Sequence, residues 1–100
     1  MTYKLKFLPA ALKEWKKLAR PIQAQFKKKL EDRLANPHVP SAKLKGFDNV
    51  YKIKLRAAGY RLAYEVVDNE LVVYILAVGK REKDSVYRTL NKRVNYQTHT

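Results

Sequence analysis

Cysteine is absent from the 100-residue sequence, so disulfides, thiolate metal sites and a cysteine nucleophile are excluded. Its absence fits residence in the cytoplasm. The two histidines, His38 and His99, fall in a loop stretch and in the C-terminal tail, and neither is placed to act as half of an acid–base pair. Acidic residues number nine and form no cluster suited to magnesium, so two-metal nuclease chemistry is not expected. With three glycines there is no phosphate-binding glycine loop. Neither a metal nor a cofactor is expected. No apolar run approaches the roughly 18 residues of a membrane span. Met1 to Phe7 alternates lysine with apolar residues, which is not the unbroken stretch of a secretion signal, and reads as a first strand.

What is present is positive charge. Twenty-two lysines and arginines leave a net charge of +13 on a chain the size of one domain. Such a field attracts polyanions and destabilises the compact state by self-repulsion. Nucleic acid is the first candidate partner and an acidic protein the second. A membrane surface comes last, because no basic helix has an apolar face to spare from the core.

Periodicity divides the chain. Tyr3 to Phe7 alternates as a strand. Pro9 suits the first turn of a helix whose stripe is Leu8, Leu12, Trp15 and Leu18. Pro21 opens a second helix with Ile22, Phe26, Leu30 and Leu34 inward, ended by Asn36-Pro37. Residues 37–49 form a loop. Tyr51–Arg56, Tyr60–Val67 and Leu71–Gly79 read as three strands, joined at Ala58-Gly59 and at Asp68 to Glu70. Asp84 is the expected N-cap of a last short helix carrying Val86, Leu90 and Val94. The order is β-α-α-β-β-β-α. This predicts an α+β domain over residues 1–94, helices on one face of a mainly antiparallel sheet, and a polar tail over 95–100.

The strand Tyr51–Arg56, taken as central, alternates apolar residues with Lys52, Lys54 and Arg56. A two-residue turn at Ala58-Gly59 would set Arg56 across from Arg61, Lys54 across from Ala63 and Lys52 across from Glu65. Two arginines side by side destabilise a hairpin unless an anion is bound there. The same pattern also suits a solvated strand face, with Lys52 and Glu65 as a surface ion pair. RNA carries its own nucleophile, the 2′-hydroxyl. Lysine, arginine and tyrosine together can align its attack, move a proton and stabilise the phosphorane charge.

Several segments together resemble the RelE family of bacterial toxins. They are Tyr51 to Arg56, Gly59-Tyr60-Arg61-Leu62, Val78-Gly79-Lys80-Arg81-Glu82 and Val86-Tyr87, with Ala11 to Trp15 and Lys43-Leu44-Lys45-Gly46 in support. The resemblance implies a microbial-ribonuclease-like fold and metal-independent cleavage of mRNA in the ribosomal A site, leaving a 2′,3′-cyclic phosphate. By position it implies Lys52 and Lys54 as catalytic lysines, Arg61 and Arg81 as phosphate-binding arginines, and Tyr87 as a stacking tyrosine. Lys43, Lys45, Arg56, Lys80 and Lys83 are expected to contact RNA. Lys83 stands where close relatives carry arginine. Lys13, Lys16, Lys17, Lys27 and Lys28 are expected to dock the protein on the 70S ribosome, against 16S rRNA. The implied partners are an acidic RelB-type antitoxin, the ribosome with its A-site mRNA, and operator DNA only through the antitoxin complex. Two other readings stay open: a ParE-like toxin with a different target, and a non-catalytic nucleic-acid-binding module.

Overall fold

The computed structural model describes residues 2–80. Arg81, Lys83, Tyr87, the expected last helix from Asp84 and the polar tail lie outside the described residues. The described elements run β1 (Lys4–Phe7), α1 (Pro9–Lys16), α2 (Arg20–Ala35), a 3-10 turn (Pro40–Ala42), β2 (Val50–Leu55), β3 (Tyr60–Val67) and β4 (Val72–Lys80). The sheet order is β1-β4-β3-β2, with β1 parallel to β4 and the other pairs antiparallel. The α+β arrangement predicted from periodicity is therefore present. Among the described residues, no helix is long and apolar enough to cross a membrane.

β2 is an edge strand, not the central one. β4 takes an interior place because its run from Val72 to Val78 is apolar but for Tyr74, so both of its faces can be buried. α1 packs on β4 and β1, and α2 packs on β2. Between helices and sheet lies the main core. Trp15 packs in it, with ring centroids 5.5 Å from Phe7 and 6.1 Å from Phe26. On α1 the inward residue is Ala11, fully buried, while Leu12 is 36% exposed. The stripe is thus Leu8, Ala11, Trp15 and Leu18, an equally helical spacing that puts the smallest side chain where the helix meets the sheet. On α2, Phe26 and Leu30 are buried and Ile22 and Leu34 are half-buried, as expected.

Two irregularities place the site. The β2–β3 turn takes four residues, Arg56 to Gly59, closed by a 2.8 Å bond from Gly59 N–H to the Leu55 carbonyl. Gly59 has φ +74°, the left-handed conformation that glycine adopts without steric cost. The register is consequently shifted by two from the expected one: Lys54 faces Arg61, Lys52 faces Ala63, and Glu65 faces Val50. An even shift leaves every side chain on its predicted face and changes only its partner. The second irregularity is a bulge in β4. Ala63 pairs with Ala77 but Tyr64 pairs with Ile75, leaving Leu76 as the extra residue. Leu76 and Ala77 both join a smaller cluster with Leu44, Val50 and Ala63 on the face away from the helices. The loop after the 3-10 turn covers that end, tied by Leu44 N–H to the Val50 carbonyl at 2.9 Å.

Candidate functional site

The end of that second face away from the loop carries the cations. Lys54, Arg61 and Gly79 form one cross-strand row. Lys52, Ala63 and Ala77 form the next. Gly79 beside Arg61 and Ala63 beside Lys52 leave room above the strands. Lys54, Leu55, Arg56, Tyr60 and Arg61 line a groove of about 360 Å³. Arg56 belongs to the turn rather than to β2, so the expected Arg56–Arg61 pair is replaced by Lys54–Arg61 with Arg56 beside it. The expected Lys52–Glu65 ion pair is not formed, because the register separates them by one cross-strand step.

Electrostatics follow from the crowding. Lys54 has its pKa lowered, first by the charge of Lys52, then by burial and by the charges of Arg61 and Arg56. An ammonium among like charges gives up its proton more readily, which suits a group that must exchange one near neutrality. Burial raises the pKa of Glu65, and its Oε1 is buried without a hydrogen-bond partner among the described residues. No three His, Cys, Asp or Glu side chains among the described residues come together to hold a metal ion.

Not every expected site residue joins the cluster. Lys43 and Lys45 are exposed on either side of buried Leu44, with Lys43 bridged to Tyr51 along the outer side of β2. Lys80 is exposed and pairs with Tyr60, so strand alternation places it on the opposite face from Lys54 and Arg61. Lys13 and Lys16 on α1, Lys17 at its end, and Lys27 and Lys28 on α2 are all exposed on the helical layer.

Sequence reading missed two clusters. One brings Lys29 and Arg33 of α2 to the outer edge of β2, beside Lys52, Lys54 and Arg56. Their spacing of four residues was the available signal, but only the edge position of β2 gives it meaning. The other is built on His38, whose Nδ1 lies 2.9 Å from the Tyr51 hydroxyl and whose Nε2 lies 2.9 Å from Asp68 Oδ1. Tyr3 donates its hydroxyl to the same oxygen at 2.6 Å. No local pattern links these four residues.

The chain and its fold have known counterparts. The family described as ParE toxin of type II toxin-antitoxin system, parDE, matches residues 5–85. A RelE-like toxin protein of Escherichia coli is 53% identical over 94 residues, covering 94% of this chain and 99% of the relative. The mRNA interferase toxin RelE of Escherichia coli strain K12 is 48% identical with the same coverage. Among solved structures, an arginine-substituted variant of the Escherichia coli toxin RelE in the free state superimposes with TM-score 0.88 at 47% identity, covering 94% of this chain and 99% of that one. RelE in the intact Escherichia coli RelBE toxin–antitoxin complex superimposes with TM-score 0.78 at 48% identity, covering 81% and 99%. This chain belongs to the RelE/ParE family of type II toxins, and within that family it is a RelE-type toxin.

Proposed function

We propose that this toxin is a metal-independent endoribonuclease that cuts mRNA in the ribosomal A site and so stops translation. The observation that carries the proposal is the Lys54–Arg61 pair, set directly across two strands with Lys52 and Arg56 beside it. Like charges so placed repel each other, and a bound anion relieves the repulsion. The two relatives named mRNA interferase RelE, from Escherichia coli K12 and Shigella flexneri, favour this reading over a ParE-like target or a non-catalytic module.

In the proposed reaction the 2′-hydroxyl attacks the adjacent phosphorus and loses its proton to a base. The 5′-oxygen leaves and takes up a proton, and the products are a 2′,3′-cyclic phosphate and a 5′-hydroxyl. Lys52 and Lys54 serve the proton transfers, helped by the lowered pKa of Lys54. Arg61, with Arg81, holds the phosphate oxygens where charge develops. Tyr87 stacks on a base. Lys43, Lys45, Arg56 and Lys83 contact the RNA, Lys80 being left out because it lies on the opposite face, and Lys13, Lys16, Lys17, Lys27 and Lys28 hold the toxin against 16S rRNA. The toxin acts in the cytoplasm. Its antagonist is an acidic RelB-type antitoxin drawn to the +13 charge, as RelB accompanies RelE in the Escherichia coli complex. Operator DNA is reached only through that complex.

The test is single-turnover incubation with programmed 70S ribosomes, with the ends of the message mapped. Cleavage in the A-site codon with a cyclic phosphate end is expected, and Lys54→Ala should abolish it. Intact message with wild-type toxin overturns the proposal.

A further inference from the structure

We infer that the outer edge of β2 holds a second phosphate subsite, built by Lys29, Arg33 and Ser41. It binds the phosphodiester next to the one being cut. The inference rests on the reading of the sheet face as an RNA site and adds a place for the strand beyond it.

The groove holds about 300 Å³. Among the described residues its polar lining residues are Lys29, Arg33, Ser41, Lys52, Lys54 and Arg56, five cations and a hydroxyl with no carboxylate. Lys54 and Arg56 also line the groove of the Lys54–Arg61 pair, so the two grooves share one wall. A strand crossing the end of β2 can therefore place one phosphate at Lys54 and Arg61 and its neighbour at Arg33 and Lys29.

Arg33 is held for this role. Its Nη1 donates to the Lys52 carbonyl at 3.2 Å and to the Tyr64 hydroxyl at 2.9 Å. Its guanidinium carbon lies 5.8 Å from the centre of the Tyr64 ring. One nitrogen makes both bonds, and a planar fork fixed on one side is preorganised to bind an anion with the other. Tethering β2 accounts for Arg33 but not for the rest of the cluster. On α2, Lys27–Glu31 and Lys28–Asp32 have the four-residue spacing of opposite charges, whereas Lys29–Arg33 repeats a like charge. That repulsion, added to Lys52, Lys54 and Arg56, is relieved by a bound anion.

The probe is a short single-stranded RNA, 2′-O-methylated so that it cannot be cut, bound to the full chain and followed by fluorescence anisotropy at several salt concentrations. Lys29→Gln should weaken binding about fivefold at 0.1 M salt and lower the slope of log K against log salt by about 0.7, the effect of one lost phosphate contact on a single strand. Arg33→Gln should do the same. Circular dichroism checks its fold, and Lys29→Gln gives the answer if Arg33→Gln unfolds. Lys6→Gln, the same charge change on β1 at the far edge of the sheet, should bind like wild type. If Lys29→Gln also binds like wild type, the subsite does not exist. It is equally overturned if Lys29→Gln affects only binding of an acidic antitoxin peptide. Message cleavage by wild-type toxin on programmed ribosomes is scored separately. Cleavage with RNA binding indifferent to Lys29 overturns the subsite alone. Intact message with RNA binding that depends on Lys29 and Arg33 overturns the cleavage proposal alone.

Discussion

His38 Nε2 and Asp68 Oδ1, thirty residues apart in sequence, meet at 2.9 Å and close a chain of hydrogen bonds from Tyr51 to Tyr3. The chain ties the loop after α2 to β2, to the β3–β4 turn and to the residue before β1. The Tyr3 hydroxyl and then His38 hold the Asp68 carboxyl below its ordinary pKa, and the same carboxylate raises the pKa of Tyr3. A carboxylate with a depressed folded-state pKa contributes stability above its unfolded pKa and loses it as pH falls through the folded one. Asp68→Ala should therefore melt at a lower temperature than wild type at pH 7, and the gap should close below the carboxylate range. A gap that persists or widens in acid would show that Asp68 acts by something other than its charge.

The lowered pKa of Lys54 has ranked causes, Lys52 ahead of Arg61 and Arg61 ahead of Arg56. Titration of the Lys54 side chain by NMR should show its pKa rising toward the ordinary lysine value on removal of each neighbouring charge. Lys52→Gln should raise it most, Arg61→Gln less and Arg56→Gln least. Should Lys52→Gln leave it unmoved, proximity to Lys52 is not what activates Lys54.

Catalysis and docking should separate by location. On the proposed role of Arg61 as a phosphate-holding group, Arg61→Ala should cost about 3 kcal/mol, or roughly a hundredfold in single-turnover rate at saturating toxin. Glutamine at Lys13, Lys16, Lys17, Lys27 and Lys28 together should instead weaken ribosome binding and flatten its salt dependence. If the helix variant bound ribosomes with the wild-type salt slope while Arg61→Ala cut at full rate, neither surface would have the role assigned to it.

Tyr64 joins the core to the site. Its hydroxyl donates to the Pro37 carbonyl at 2.8 Å and accepts from Arg33, while its ring stacks on Tyr51 at 5.6 Å between centroids. Tyr64→Phe keeps the ring and removes one bond from each polar partner, leaving Arg33 its bond to the Lys52 carbonyl and the Pro37 carbonyl its bond from Val39 N–H, and the two lost bonds should cost about 1–3 kcal/mol in urea unfolding. A loss within a few tenths of a kcal/mol would mean that water replaces the hydroxyl.

Much of this molecule was determined by the sequence read along one dimension. Alternation in Tyr60–Val67 predicted β3 with its observed bounds, and the four-residue recurrence from Ile22 to Leu34 predicted the buried side of α2. Period-two patterning also put Lys52, Lys54 and Arg61 on one face, and that survived an error of two in the register because strand faces repeat every second residue. Such features depend on neighbours close in the chain, and the resemblance to RelE toxins named the same residues.

Only the tertiary structure decided which residues touch. A turn of four residues, not two, made Lys54 rather than Arg56 the partner of Arg61. Lateral order put β2 at the edge and opened its outer side to Lys29 and Arg33. The bulge at Leu76 turned two successive residues of β4 to the same face, which strict alternation cannot foresee. The His38–Asp68 contact joins loops that share no pattern. Strand order, turn length and loop contacts are set by long-range packing of the apolar faces. A one-dimensional pattern specifies which faces must be buried, and many lateral arrangements satisfy it until the whole core is assembled.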